Sequence, residues 1–199
     1  MKTKEQIVKK ALKLILQKGF HNVSMAMIAA EVGISKPAIY HHFQNKDAMV
    51  EGVLDHFTNK MSEWSLEYFK DAQNGEQFLQ KMFFAIPMYK NVELILLDEG
   101  DETYPNSYND LLMTLSKYKS KFRERIALDI KGGREKIKRS IIDAQTRNTI
   151  DEQIDPEKLS LLIHCILEGS AFIAEIDEDL DLNKASGDLF QTTWSLIKK

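Results

Sequence analysis

The chain has 199 residues, 43% of them hydrophobic and 29% charged, with only 4 prolines and 9 glycines. This balance excludes a disordered or low-complexity chain, supplies enough apolar side chains for a core, and favours long helices over many short strands. The net charge of −3 hides an asymmetry: residues 1–50 carry eight lysines against Glu5, Glu31 and Asp47, while the remainder holds 19 basic and 27 acidic side chains, a basic head suited to a polyanion on an acidic body.

The first expected helix covers residues 3–18, with Ile7, Ala11, Leu14 and Ile15 recurring on one face. Gly19 ends it, because glycine reaches positive φ without strain. Ser24 is the N-cap of a short second helix, with Val23 and Ile28 placed to staple its entry and Gly33 to end it. Ser35 then caps a third helix over 36–43, carrying Lys36 and Pro37 in its first turn, where proline is tolerated. Asn45 caps a fourth that runs to about residue 70, since Val50, Val53, Leu54, Phe57, Met61, Trp64 and Tyr68 keep a three-to-four residue beat. Further helices are expected at 76–86, 88–98, 106–130, 134–148, 156–177 and 186–198. The breaks between them fall at Pro87, the acidic stretch Asp98–Glu102 with Pro105, Gly132-Gly133, Asp155-Pro156 and residues 183–186. The expected fold is all-α, with an N-terminal domain of short helices over 1–48 and a larger helical domain over 49–199.

Two short helices joined by a glycine-containing turn form a helix-turn-helix. A helix with its side chains is about as thick as the B-DNA major groove is wide, roughly 12 Å. The first helix braces the second so that the front of the second meets the groove. Ala29 and Ala30 are small enough to let the two approach, and Ile28, Val32, Ile34 and Ile39 supply the miniature core between them.

The run Ser24, Ile28-Ala29, Val32-Gly33-Ile34-Ser35-Lys36-Pro37-Ala38-Ile39-Tyr40-His41-His42-Phe43 and Lys46 resembles the signature of the TetR family of regulators, densely over residues 7–50. The resemblance implies that Ser24 and the start of its helix hold a phosphate. It implies that Lys36, Pro37 and Ala38 face bases or sugar, that Tyr40 and His41 reach phosphates and fix register, and that Lys46 neutralises a phosphate. Ile39 and Phe43 read as core. His41 and His42 are adjacent, hence about 100° apart around the helix, and do not make a metal-binding pair at i, i+4.

The resemblance further implies that the body from about residue 51 onward binds a small-molecule effector and forms a homodimer. In the 156–177 helix Leu159, Leu162, Ile163, Ile166, Leu167, Ile173 and Ile176 make an apolar face too broad for one neighbour. Gly169-Ser170-Ala171 allows close approach, and Phe190, Trp194 and Ile197 follow in the last helix. The dimer interface is therefore expected at Leu162, Ile166, Gly169, Ser170, Ile173, Phe190, Trp194 and Ile197, with a purely intrachain core as the alternative. Trp64, Phe83, Phe84, Met88 and Tyr89 are the aromatic and flexible candidates for an effector pocket. Asp98, Glu99, Asp101 and Glu102 suit either a cationic ligand or a solvated loop. The basic stretch 117–139 suits either an anionic ligand or a solvated helix face.

The single cysteine, Cys165, allows no intrachain disulfide and no CxxC zinc site, and reads as a buried small side chain. The N-terminus lacks the apolar core of a signal peptide, and no run approaches the ~18 apolar residues of a membrane span. No Gly-rich phosphate loop, nucleophile elbow or zinc spacing is present. The expectation is a cytoplasmic, non-enzymatic regulator without cofactor or metal. Its partners are double-stranded operator DNA, its own second copy and an unidentified small effector, with no membrane. The alternative is a DNA-binding dimer whose body docks a protein.

Overall fold

The computed structural model describes residues 4–90, Leu96, 107–177 and 179–199, with backbone only at Tyr89 and Lys90. The side chain of Tyr89, the acidic cluster Asp98–Glu102, Pro105 and most of the second half of the expected 88–98 helix lie outside the described residues. The helices are α1 (Lys4–Lys18), α2 (Met25–Val32), α3 (Lys36–His42), α4 (Lys46–Phe69), α5 (Gly75–Phe84), α6 (Ile86–Lys90), α7 (Tyr108–Tyr118), α8 (Ser120–Thr146), α9 (Pro156–Ile176) and α10 (Leu182–Ile197). A 3₁₀ turn, Phe20–Asn22, follows α1. Among the described residues no strand forms, and the fold is all-α.

The capping chemistry places most of these boundaries. Ser24, Ser35, Asn74 and Ser107 each accept a hydrogen bond from the backbone N–H three residues on. Asp155 and Asp181 accept from the N–H groups two and three residues on, in the first turns of α9 and α10. Aspartate at 181 is the signal that starts α10 four residues earlier than the expected 186.

Two expected breaks sit elsewhere. The chain between 106 and 148 divides at Lys119, which is extended (φ −149°, ψ 142°), and α8 runs unbroken through Gly132-Gly133. Neither glycine has positive φ, so both continue the helix at only a propensity cost. Near Pro87 the break falls at Ala85 instead. Pro87 takes the second position of α6, where its missing N–H costs nothing.

The chain forms two compact units, one of residues 1–65 and 92–126, the other of 66–91 and 127–199. The core of the first gathers Ile7, Ala11, Leu12 and Ile15 of α1 with Ile28, Val32, Ile39, Phe43, Val53 and Leu54, and includes Tyr108, Leu115 and Phe122. That of the second packs Leu79, Phe83 and Ile86 with Ile137, Ile141, Ile163, Leu167, Ala171 and Ile197.

One expectation about membranes meets an exception. By length and composition alone, Pro156–Ile176 is long and apolar enough to cross a bilayer. It buries Leu159, Ile163, Leu167, Ala171 and Ala174 in the core of its own unit, and a core helix passes the same test of composition.

Candidate nucleic-acid interface

The helix-turn-helix is built from backbone constraints outward. Gly33 ends α2 in the left-handed region (φ 75°, ψ 37°). Its N–H donates to Ala30, and that of Ile34 donates to Ala29 at 3.0 Å, closing the helix end and reversing the chain within two residues. Ser35 then restarts it, its Oγ accepting from Ala38 N–H at 3.3 Å. Between the two helices Ile28, Ala29, Val32 and Ile39 are all at most 2% exposed. Ala30, expected beside Ala29 in the contact, faces outward instead.

This packing divides α3 into two faces. Ile39 and Phe43 are buried, as their spacing requires. Lys36, Pro37, Tyr40 and His41 are exposed and Ala38 is half-buried. Tyr40 keeps 42% of its surface, so it is not a core aromatic. The predicted contact residues thus share the front and outer side of one short helix. Ser24 is exposed at the N-terminus of α2, where first-turn N–H groups favour an anion.

Glycine 52 carries a signal that the sequence reading passed over. A Cβ there would lie 2.9 Å from the Phe43 ring and 3.1 Å from Val8, so α4 runs against α1 and the end of α3 at glycine-only distance. A lone glycine inside the periodic α4 was the available clue.

The first turn of α4 carries the densest electrostatics of this unit. Lys46 is turned inward: its Nζ donates to the carbonyls of Phe20 (2.6 Å) and Val23 (2.7 Å) and sits 3.9 Å from the centroid of the Phe20 ring. Burial pushes its ammonium below the usual lysine range. Beside it Asp47 accepts from Lys119 at 2.5 Å and lies 3.5 Å from Lys121, which also reaches Glu51 at 2.8 Å. Arg125 continues the ladder to Asp55 (3.2 Å) and to the Thr58 hydroxyl (3.3 Å). The Lys119 hydrogen bond holds the Asp47 carboxyl below the ordinary carboxylate range, and that of Glu51 raises Lys121. In the basic stretch 117–139, then, Lys119, Lys121 and Arg125 already face carboxylates, as does Lys138, bound to Glu157 at 2.6 Å.

The remaining predicted residues fall as follows. Trp64 belongs to the first unit, and Phe83, Phe84 and Met88 to the second. Phe83 is 1% exposed and packs edge-on to Phe190 at 5.7 Å, Phe84 is largely exposed and Met88 half-buried. A groove of about 200 Å³ in the first unit lies between the end of α1 and α7, lined by Leu16, Phe20, His21, Asp110 and Thr114 among others. None of these five was among the expected pocket residues.

On α9, Leu162 and Ile173 are more than half exposed, while Ile166, Gly169 and Ser170 are half-buried. Phe190 stacks on Trp194 at 5.8 Å, both half-buried, whereas Ile197 is committed to the core of its own unit. Leu161, Phe172 and Leu196 are exposed apolar residues that the sequence pattern did not single out, and Ile176, expected on the apolar face but not at the interface, is exposed as well. Cys165 is exposed, not buried, because it lies two residues off the buried 159–163–167 stripe.

Fold and site together define a helical protein with an N-terminal helix-turn-helix whose outer face is open. Residues 7–53 match the family model for bacterial regulatory proteins, tetR family. The chain is 43% identical over 61 residues to the HTH-type transcriptional regulator YuxN of Bacillus subtilis (strain 168), covering 30% of this chain and 21% of YuxN. Thus it spans only about a fifth of that relative's length. It is 22% identical over 204 aligned positions to the HTH-type transcriptional repressor ComR of Escherichia coli (strain K12), covering 95% of this chain and 88% of ComR. A transcriptional regulator from Saccharomonospora viridis, solved in complex with choline, shares the fold with a TM-score of 0.76 at 18% identity, over 98% of this chain and 97% of that one. The N-terminal segment 7–53 thus carries the helix-turn-helix that the tetR-family model describes, and the relatives it resembles are named as transcriptional regulators.

Proposed function

We propose that the protein is a cytoplasmic repressor that binds a palindromic operator as a homodimer and is released when a small molecule binds its body. The DNA-reading head is placed at 1–48 and the effector and dimerisation body at 49–199. The observation that carries the reading is the division of α3: Ile39 and Phe43 hold it to the head while Lys36, Pro37, Tyr40 and His41 stand clear on its front. A helix braced in this way and open at its N-terminal end fits a major groove.

Dimerisation rests on α9. Leu162, Ile166, Gly169, Ile173 and Ile176 recur at four- and three-residue steps beside the buried stripe, the spacing of a helix-helix seam. Three of them, Leu162, Ile173 and Ile176, are more than half exposed in the single chain. A two-fold pairing along this seam would present two recognition helices to two half-sites. For the effector, the support is the choline held by the Saccharomonospora viridis neighbour, taken only as a sign that bodies of this fold accept small molecules.

The test is binding of the purified protein to DNA from its own upstream region across a salt series, beside Tyr40→Ala and Lys36→Ala. The expected result is binding that weakens about 10³-fold or more between 50 and 200 mM salt and is lost by at least tenfold in either variant. Binding no tighter than to random DNA, and indifferent to both substitutions, would refute the operator reading for that site.

A further inference from the structure

Lys46 stands apart from the other cations of the head. It opens α4, yet the two carbonyls it binds lie 26 and 23 residues earlier, at the two ends of the 3₁₀ turn that leads into α2. The carbonyls of Phe20 and Val23 take two of the three N–H donors of its ammonium. The Phe20 ring beneath, 3.9 Å away, adds a cation–π contact in a half-buried setting. Phe20 itself is 4% exposed and meets Tyr118 edge-on at 5.0 Å, so the ring is not free to swing away. The neighbouring carboxylate, Asp47, is engaged by Lys119 and Lys121 and does not compete for the lysine.

The geometry has a mechanical consequence. Val23 immediately precedes the Ser24 cap, and α2 in turn braces α3. One side chain therefore fastens the corner from which the helix-turn-helix starts to the helix that follows it. An arm reserved for a phosphate would be extended and hydrated in the absence of DNA, whereas this ammonium has already exchanged water for two carbonyls and a ring.

We infer that Lys46 is a positioning residue of the head: it latches the α1–α2 corner to the first turn of α4, and it serves operator binding through head geometry, not by holding a phosphate. The inference rests on the DNA-binding reading above, and it replaces the phosphate role that the family resemblance implies for this one position.

Two experiments test it. In the first, wild-type protein is treated with a lysine-acetylating reagent, with and without operator DNA, and modification is mapped by mass spectrometry. Protection of Lys46 relative to Lys36 in free protein, unchanged by DNA, is the expected result. A Lys46 as reactive as Lys36 in free protein, or one shielded only when DNA is added, overturns the latch. In the second, Lys46→Met is compared with wild type for unfolding without DNA and for the salt dependence of operator binding. The latch predicts a melting temperature lower by about 5 °C or more and weaker binding with the salt slope changed by less than about half a unit. An unmoved melting temperature, or a slope reduced by about one, the mark of a lost phosphate contact, overturns it. Footprinting and unfolding of the free protein need no DNA. Should the wild type bind no operator, the DNA-binding reading fails while protection and melting still judge the latch.

Discussion

Gly33 offers the sharpest measure of how backbone geometry underwrites the helix-turn-helix. Its φ of 75° lies in the left-handed region, and a Cβ built there meets no atom within 4 Å. Any cost of adding a side chain is therefore conformational, not steric. An L-residue in this region costs about 1–2 kcal/mol, less for asparagine, whose side chain bonds locally, and more for a β-branched residue. The expected order of stability is Gly33, then Asn, Ala and Val. With roughly 4–8 °C per kcal/mol for a unit of this size, Gly33→Ala melts about 5–15 °C lower. Gly33→Asn stays within about half of that loss. The assay is thermal or urea unfolding of all four proteins, with operator affinity measured well below the lowest melting point. There the alanine variant retains affinity within about threefold, because position 33 is not itself a contact. Equal stability of all four proteins would refute the argument from φ. A loss as large for asparagine as for valine would show that space, not backbone conformation, is limiting.

The same reasoning with the opposite cause applies to Gly75→Ala in the second unit. The new Cβ would fall 1.9 Å from the Ser140 carbonyl oxygen and 3.1 Å from Ala144 N, backbone atoms that no rotamer change can move. Parting α5 from α8 also strains the 2.6 Å bond from Gly75 N–H to Asp143. About 2–4 kcal/mol of destabilisation is expected, and a melting point within 2 °C of wild type would contradict it. At the proposed seam, Leu162→Glu with Ile173→Glu should give a monomer by light scattering, with little change in helix content and operator affinity down at least a hundredfold. A variant that remains dimeric would move the interface elsewhere. Acid should destabilise through specific carboxylates. Asp47, held down chiefly by Lys119, and Asp143, held down chiefly by the Gly75 N–H, have folded values below their unfolded ones. Their stabilisation is complete above about pH 4 and lost as pH falls through the folded values. The melting point should be flat from pH 8 to 5 and drop below about 4, less steeply in Asp143→Asn. Because these groups are solvent-screened, each contributes no more than about 1 kcal/mol.

What the sequence disclosed, and what it withheld, follows from the range of the interactions involved. Caps and glycine stops act over three or four residues, so Ser24, Gly33, Ser35 and Asn45 mark their boundaries without tertiary help, and the all-α head is legible from them. The division of α3 into buried Ile39 and Phe43 and exposed Tyr40 and His41 follows equally from helical period. Gly132-Gly133 misleads because glycine only permits a break. Nothing there forces positive φ, and the helix passes through, while the break comes at Lys119, just after the α7 C-terminus. Cys165 and Ile197 show the limit of counting apolar residues on a broad face. Composition says that α9 and α10 are covered on several sides, but only packing decides which residue takes the inner stripe. Lys46 is the clearest case. Local sequence makes it a cation at a helix start, a natural phosphate ligand. Its partners, more than twenty residues away, are main-chain carbonyls, and a carbonyl leaves no mark in the side-chain pattern. Function carried by side chains at fixed local spacing can therefore be read from one sequence, whereas function carried by a side chain bound to distant backbone requires the fold.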